Sequence, residues 1–210
     1  ASLRRLGLDY VDIFYHHRPD PQTPAEETME ALAQIVSSGK ALYVGLSNYN
    51  GEQAERAASI LRELRCPFVI CQNRYSILDR TVEKNGLLQA AQRLGRGIIA
   101  FSPLAQGLLS DRYLDGIPAD SRIRTDGRFL KESAVTPELL ARLRTLSVIA
   151  QNRGQTLAEM ALSWVLRDGA VTSVLVGASK PAQIAENIRA VSRTAFTSDE
   201  LAQIDNAVVS

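Results

Sequence analysis

The sequence contains two histidines, His16 and His17, which are adjacent in the segment DIFYHHRPD. Consecutive residues of a β-strand point to opposite faces, so at most one of the two side chains can face a given site. A histidine at a strand end is a candidate catalytic group because its imidazole can gain or lose a proton near neutral pH. A histidine with a purely structural hydrogen bond is the commoner case, and the pattern alone leaves both interpretations open.

Five short segments rich in β-branched and aromatic residues predict strands. They are residues 10–16, 41–47, 68–73, 97–102 and 173–177. Between and after them, apolar residues three and four positions apart indicate amphipathic helices. These helices are expected at 25–37, 53–64, 82–94, 137–152, 157–166, 181–191 and 198–208. Thr23 and Pro24 resemble an N-cap and a first-position proline for the first of them.

The alternation of strands and helices predicts an α/β fold with a parallel sheet and helices outside it. No glycine-rich phosphate-binding motif follows any predicted strand, which favours a barrel over an open, doubly wound sheet. We expect residues 1–210 to form a single domain. Residues 103–136 interrupt the alternation, and a connection of that length is typical of a functional lid or a disordered insertion.

In a parallel barrel the chemistry takes place at the loops that follow the carboxyl ends of the strands. Those ends carry polar, aromatic or glycine residues directly after apolar strands. They are His17-Arg18-Pro19, Ser47-Asn48, Gln72-Asn73, Phe101-Ser102-Pro103 and Gly177-Ala178-Ser179. Structural explanations also exist: Ser47 and Asn48 can start a turn or cap a helix, and Phe101 can be a core aromatic. Gly177 can be present only because the backbone there adopts an angle that other residues disfavour.

The bulk composition excludes several classes of protein. The 210 residues are 45% hydrophobic and 22% charged, as expected for a soluble globular chain with one sizeable core. The net charge of +1 gives no reason to expect nucleic acid or a membrane surface as a partner. Neither a membrane-spanning stretch nor a signal peptide is present, so a cytoplasmic location is predicted. Cys66 and Cys71 are expected to be buried thiols, and no metal site is predicted.

Four segments, in order along the chain, resemble segments of the aldo-keto reductase family. They are LGLDYVDIFYHHRPD, SGKALYVGLSNYN, IIAFSPLAQGLLS and VTSVLVGASKPAQIAEN. The resemblance is greatest to two groups in the family, bacterial glyceraldehyde 3-phosphate reductases and potassium-channel beta subunits. It implies a (β/α)8 TIM barrel, of which this chain supplies roughly strands 4 to 8. It also implies NADPH-dependent reduction of aldehydes or ketones to alcohols, with small phosphorylated aldehydes among the candidate substrates.

The resemblance assigns roles to residues at the ends of the predicted strands. His17 would be the catalytic histidine, whose ring hydrogen-bonds and polarises the substrate carbonyl, while its neighbour faces away. Ser47, Asn48 and Gln72 would hold the carboxamide of the nicotinamide. Phe101 would stack on the nicotinamide ring.

The resemblance places the rest of NADPH along later segments. Backbone amides of residues 102–109 would wrap the pyrophosphate, where Gly107 permits close approach. The other side chains implied would meet the 2′-phosphate or the adenine. The full set is Ser102, Pro103, Leu104, Gly107 and Leu109 near the pyrophosphate, Gly177 in the cofactor site, Ser179, Lys180 and Gln183 at the 2′-phosphate, and Glu186 and Asn187 at the adenine.

The match starts at the fourth strand of the family, so we expect an upstream part that carries the family's Asp, Tyr and Lys. Three hypotheses follow. The chain is part of a reductase, or a regulatory or scaffold subunit that binds NADPH without turnover, or an inactive fragment whose open sheet edges pair in a homo-oligomer. A phosphorylated substrate would meet arginines, for which the candidates are Arg18, Arg74, Arg112, Arg122, Arg124 and Arg128.

Overall fold

The computed structural model describes residues 1–114, 116–117 and 131–209. In these residues the strands are β1 Val11–His16, β2 Ala41–Ser47, β3 Phe68–Arg74, β4 Gly97–Phe101 and β5 Ser173–Leu175. They form one sheet in the order β1-β2-β3-β4-β5, and β2 pairs in parallel with both β1 and β3. The five predicted strands are confirmed. Part of the loop expected at 103–136, with Arg122, Arg124 and Arg128, lies outside the described residues.

Helices alternate with these strands. Those in the described residues are α1 Ser2–Leu6, α2 Ala25–Ser37, α3 Gly51–Glu63, α4 Thr81–Lys84, α5 Leu87–Leu94, α6 Pro137–Asn152, α7 Leu157–Val165, α8 Pro181–Arg189 and α9 Ser198–Val209. The bounds of α2 and α6 are those that the apolar periodicity predicts. Side-chain caps set several helix starts: Asn50, Thr136 and Thr156 each accept a hydrogen bond from the backbone amide three residues further on.

Two local predictions are wrong. The single helix expected at 82–94 is interrupted at Gly86, which adopts a left-handed φ of 78° between α4 and α5. A Cβ on Gly51 would lie 2.5 Å from the carbonyl oxygen of Gly86, so the two segments are in backbone contact here. Thr23 does not cap α2. Pro24 occupies the N-cap position, and the Thr23 hydroxyl donates to Asp20 Oδ2 at 2.8 Å.

The chain divides into two compact units. The first unit comprises Ala1–Arg74 and Thr81–Ile99, and the second comprises Tyr75–Arg80 and Ala100–Ser210. In the first unit, α2 and α3 bury apolar side chains together with the strands. Cys66 and Cys71 are both buried free thiols, as the sequence predicts. The expectation of a single domain stays a prediction.

The core of the second unit contains Trp164, whose side chain is fully buried. The guanidinium groups of Arg80 and Arg167 both lie over the indole, with Cζ atoms 4.5 and 3.6 Å from a ring centroid. The ring of Tyr75 packs against it with centroids 5.3 Å apart. Trp164 is therefore a packing residue in the core of the second unit.

Arg153 joins the end of α6 to the segment that leads into α9. Its side chain is 4% exposed and its Nη1 pairs with Glu200 Oε2 at 2.5 Å. Nη2 donates to the backbone carbonyls of Arg193 and Ala195 at 3.3 and 3.0 Å, and the guanidinium lies 3.7 Å from the ring centroid of Phe196. A buried charge is tolerated here because both its charge and its donors are satisfied.

Two carboxylates of the second unit have ion pairs that make its stability depend on pH. Glu159 pairs with Arg189 at 2.6 Å, and Glu200 pairs with Arg153. Burial raises the pKa of each carboxyl, but hydrogen bonds from backbone amides and the two guanidinium groups outweigh burial and hold both pKa values below the ordinary 4.5. Groups with a lowered pKa stabilise the folded state above pH 4.5 and lose that contribution as the pH falls.

We therefore expect the free energy of unfolding, measured by urea titration, to decrease as the pH is lowered from neutral to below 4.5. The variant Glu200→Gln should be less stable than the unmodified protein at neutral pH and should show a smaller decrease on acidification. An equal decrease in both proteins would contradict the contribution assigned to Glu200.

Candidate functional site

Hydrogen bonds join the ends of β1, β2 and β3 in the first unit. The Ser47 hydroxyl donates to the backbone carbonyl of Gln72 at 2.8 Å, and the backbone amide of Asn48 donates to the same oxygen at 3.1 Å. Asn48 Nδ2 donates to the backbone carbonyl of His17 at 2.8 Å. The structure thus brings together four residues that the sequence analysis selected, and we name them the strand-end cluster: His17, Ser47, Asn48 and Gln72.

The conformation of Asn48 directs this arrangement. Its φ of 62° lies in the left-handed region, which asparagine tolerates better than most residues because its short side chain can hydrogen-bond locally. Its Nδ2 also donates to Ser47 Oγ at 3.1 Å. Since the Ser47 hydroxyl proton is already donated to Gln72, Ser47 fixes its neighbours in place. The side-chain amide of Gln72 has no hydrogen-bond partner among the described residues, so it is available to a ligand amide.

The two histidines have different surroundings. A hydrogen bond of 2.7 Å joins His16 Nδ1 and the hydroxyl of Tyr49, and the two rings meet edge-on. The backbone carbonyl of Tyr49 accepts a hydrogen bond from Asn73 Nδ2 at 3.0 Å. Burial lowers the pKa of His16, with a further decrease from the neighbouring His17, and burial raises the pKa of Tyr49 to about 12. His16 is therefore a neutral structural side chain, whereas His17 is exposed.

Tyr49 was not selected by the sequence analysis, and its contacts predict a stability effect. Tyr49→Phe would leave Nδ1 of the half-buried His16 without its hydrogen-bond partner. We expect the free energy of unfolding to fall by about 1–3 kcal/mol. Urea unfolding followed by circular dichroism measures the change. Tyr43→Phe is the matched control, because Tyr43 is 43% exposed, and it should change stability by less than about 0.5 kcal/mol. Equal effects of the two substitutions would contradict this role of Tyr49.

A cleft of about 580 Å³ lies in the second unit between the loop after β4 and the start of α8, and we name it the loop cleft. It gathers nine of the residues that the sequence analysis assigned to the cofactor: Ser102, Pro103, Leu104, Gly107, Gly177, Ser179, Gln183, Glu186 and Asn187. Three others, Phe101, Leu109 and Lys180, are not part of its lining. The lining also contains residues that the sequence analysis did not assign to it: Gln106, Ser110, Asp111, Arg112, Tyr113, Ala158, Leu175 and Val176.

The loop after β4 is tightly wound. Ser102, Ala105, Gln106 and Gly107 have φ angles of 53°, 46°, 61° and 98°, all in the left-handed region. Backbone amides of Ala105, Gly107, Leu108 and Leu109 donate to carbonyls within the loop itself. The expected wrapping of a pyrophosphate by this segment must therefore use its other amides, those of Ser102, Leu104 and Gln106.

The opposite wall of the loop cleft includes the segment that leads into α8. Gly177 has no left-handed φ, so the alternative explanation of an unusual backbone angle is wrong. A Cβ on Gly177 would meet nothing within 4 Å. Gln183 Oε1 accepts hydrogen bonds from the amides of Ser179 and Lys180 at 2.8 and 3.2 Å and from the Ser179 hydroxyl at 3.2 Å. Gln183 therefore shapes this wall, with its Nε2 group left for a ligand.

Comparison with known proteins identifies the family of this chain. The model of the aldo/keto reductase family matches residues 1–209. The chain belongs to the aldo/keto reductase family. The fold of this chain is similar to a solved structure, that of the thermostable aldo-keto reductase Tm1743 in complex with the inhibitor epalrestat. The two chains superimpose with a TM-score of 0.73 and are 30% identical in sequence. The match covers 98% of this chain and 63% of that chain. The predicted relation to the TIM barrel of the family is confirmed.

Two curated relatives in the aldo/keto reductase family are similar over nearly the whole chain. L-glyceraldehyde 3-phosphate reductase of Escherichia coli K12 is 51% identical over 212 residues, which cover 99% of this chain and 61% of that protein. A putative voltage-gated potassium channel subunit beta of Schizosaccharomyces pombe is 41% identical over 196 residues, covering 91% of this chain and 57% of that protein. The chain thus spans about three fifths of the length of these relatives.

Two further structural observations concern the described residues of this aldo/keto reductase chain. In residues 1–114, 116–117 and 131–209, no group of three or more His, Cys, Asp or Glu side chains could hold a metal ion. In the same residues, no helix has both the length and the apolar character needed to cross a membrane.

Proposed function

We propose that this chain takes part in the NADPH-dependent reduction of aldehydes or ketones to alcohols. The loop cleft carries the proposal, because eight of the ten residues assigned to the pyrophosphate, 2′-phosphate and adenine line this one cavity, together with Gly177. Membership of the aldo/keto reductase family implies a nicotinamide cofactor. The cytoplasm is the proposed location.

The loop cleft fits the cofactor in size and in chemistry. Its volume of about 580 Å³ is typical of small-molecule sites. The open space beside Gly177 admits a ligand without movement of the backbone. Ser179 and Arg112 supply a hydroxyl and a guanidinium for the 2′-phosphate, and Glu186 and Asn187 supply polar groups for the adenine. Arg112, first considered for a substrate phosphate, thus lines the cofactor cleft.

The strand-end cluster would orient the reacting groups. When bound, the nicotinamide supplies the hydride that reduces the carbonyl carbon. Gln72 would bind the carboxamide of the nicotinamide with its side-chain amide, and Asn48 would bind it with its side-chain oxygen. Ser47 hydrogen-bonds to both residues and holds them together. His17 would donate a hydrogen bond to the substrate oxygen and so stabilise the negative charge that grows there. Since Asn48 binds the His17 carbonyl, the same residue positions the imidazole and the carboxamide.

A phosphorylated aldehyde is the proposed substrate class. The Escherichia coli relative, 51% identical, is an L-glyceraldehyde 3-phosphate reductase by name. In this chain an exposed arginine, Arg18, directly follows His17. A guanidinium beside the proposed catalytic imidazole would bind a phosphate on the substrate and keep its carbonyl close to His17.

Titration with NADPH tests the proposal. The chain has one tryptophan, Trp164, whose emission overlaps the absorption of NADPH, so binding should quench its fluorescence with a saturable curve. NADH lacks the 2′-phosphate and should bind at least roughly 10-fold more weakly. A folded protein that shows neither quenching nor binding in equilibrium dialysis at millimolar NADPH would contradict the proposal.

Turnover separates reduction from a regulatory role. Oxidation of NADPH, followed by its absorbance, should be faster with glyceraldehyde 3-phosphate than with glyceraldehyde. In a protein that also carries the Asp, Tyr and Lys expected upstream, saturable NADPH binding without oxidation would favour the alternative of a regulatory subunit that holds the cofactor. The similarity to the channel-subunit relative of Schizosaccharomyces pombe supports that second candidate.

A further inference from the structure

A second cleft, in the first unit, is lined by arginines from the C-terminal ends of two helices. Arg62 and Arg65 come from the end of α3, and Arg93 and Arg96 come from the end of α5. The cleft has a volume of about 420 Å³, and we name it the arginine cleft. None of its lining residues is a carboxylate; Glu63, next to Arg62 in sequence, is outside the lining.

Most of this positive charge is not neutralised. Arg93 forms an ion pair with Glu55, with Nη2 at 2.7 Å from Oε1. Within the described part of the chain, the other three arginines of the cleft form no ion pair. Arg62 donates to the Ser59 hydroxyl at 3.3 Å and Arg96 to a backbone carbonyl at 3.4 Å, and neither acceptor carries a charge. Arg62, Arg65 and Arg96 are exposed and have no counter-ion among the described residues, so their guanidinium groups are open to an anion from solution.

The floor of the arginine cleft is apolar. Leu61, Cys66 and Phe68 line it and are all buried. The guanidinium of Arg96 lies 5.8 Å from the ring centroid of Phe68. A ligand in this cleft would therefore place an apolar or planar part against the floor and its charged groups against the guanidinium rim.

The backbone at Arg65 supports a use for this side chain. Arg65 is the second residue after α3, where a left-handed residue commonly ends a helix and glycine is favoured. Its φ is 52°, a conformation that costs energy for a residue with a Cβ. With arginine at this position the free energy of unfolding is lower than it would be with glycine. The arginine also places a guanidinium group at the cleft.

We propose that the arginine cleft binds a small phosphorylated metabolite. Guanidinium groups bind phosphate through paired hydrogen bonds, and two arginines from each of two helix ends can enclose one phosphate chain. The cleft is distinct from the strand-end cluster. Phe68 begins β3 and Gln72 lies four residues further along it, about 13 Å away. The proposal does not depend on the proposed reductase function.

Calorimetric titration with inorganic pyrophosphate tests this site on the full chain. We expect saturable binding of one pyrophosphate at the arginine cleft, with at least 10-fold weaker affinity in the double variant Arg65→Gln/Arg96→Gln. Arg56→Gln is the control, because Arg56 also lies on α3 but pairs with Glu26 outside the cleft. It should leave the affinity unchanged. Arg65→Gly should weaken binding while the melting temperature stays the same or rises, because glycine suits the left-handed backbone.

Other outcomes would overturn the proposal. Equal affinity in the double variant and the unmodified protein would place pyrophosphate elsewhere. A loss of binding in Gly177→Leu, a variant of the loop cleft, would place it there instead. An equal loss with Arg56→Gln would reveal unspecific attraction to positive charge. If no binding is detected at millimolar pyrophosphate and low salt, the proposed anion site does not exist.

Discussion

Replacement of Trp164 by alanine is expected to lower the free energy of unfolding by about 3–5 kcal/mol. The indole is fully buried, so its removal leaves a cavity that the surrounding helices cannot close completely. The guanidinium groups of Arg80 and Arg167 would also lose the ring faces that they contact at 4.5 and 3.6 Å. Each half-buried guanidinium that loses its cation–π partner adds to the cost of the cavity.

Urea unfolding followed by far-ultraviolet circular dichroism measures this effect, since the variant has no tryptophan fluorescence. Trp164→Phe is the graded control, because it keeps an aromatic face under the two guanidinium groups and should cost clearly less. Arg167 should remain ordered in that variant, as it also donates to the Tyr75 hydroxyl at 3.1 Å. A loss below about 1 kcal/mol in Trp164→Ala would show that the cluster does not support the core.

The second large effect concerns ligand binding. Gly177→Leu is expected to weaken NADPH binding by roughly 10- to 100-fold, about 1.4–2.7 kcal/mol. Gly177 lines the loop cleft, and a Cβ there meets no protein atom within 4 Å. Because its φ is not left-handed, a side chain introduces no backbone strain. The leucine side chain would therefore occupy ligand space while the fold remains intact.

Ala178→Leu provides the matched control for this prediction. Ala178 is the next residue, exposed and outside the lining of the cleft, so the same side chain there should leave NADPH affinity within about twofold. Fluorescence quenching of Trp164 reports binding, and thermal melting reports stability. Unchanged affinity in Gly177→Leu would mean that NADPH does not occupy the loop cleft.

Local patterns predicted the elements of this chain well. The bounds of β2 and α2 follow from strand propensity and from apolar spacing, both properties of neighbouring residues. The helix predicted at 82–94 overlooked the dipeptide Asn85-Gly86, which is typical of turns, whereas the contact of Gly86 with Gly51, 35 residues away in sequence, was not predictable. Thr23 failed as a cap for a local reason: an acceptor three residues earlier, Asp20, binds its hydroxyl.

The candidate site was predictable mainly as a set of strand ends. Because parallel strands end at one edge of a sheet, His17, Asn48 and Gln72 could be expected to lie together. Their individual roles could not be predicted from that rule. The partner of His16 is Tyr49, 33 residues away, and no local pattern connects an imidazole with that phenol.

The sequence by itself determined the order of strands and helices, the family, and the residues that follow each strand, since these depend on local propensity and on motifs read directly from the chain. Only the tertiary structure decided which histidine is tied to a phenol, which loop amides remain available, and which arginines converge. Arg62 and Arg96 line the same cleft because α3 and α5 pack against each other. Such proximity depends on packing between distant segments, which neighbouring residues do not encode.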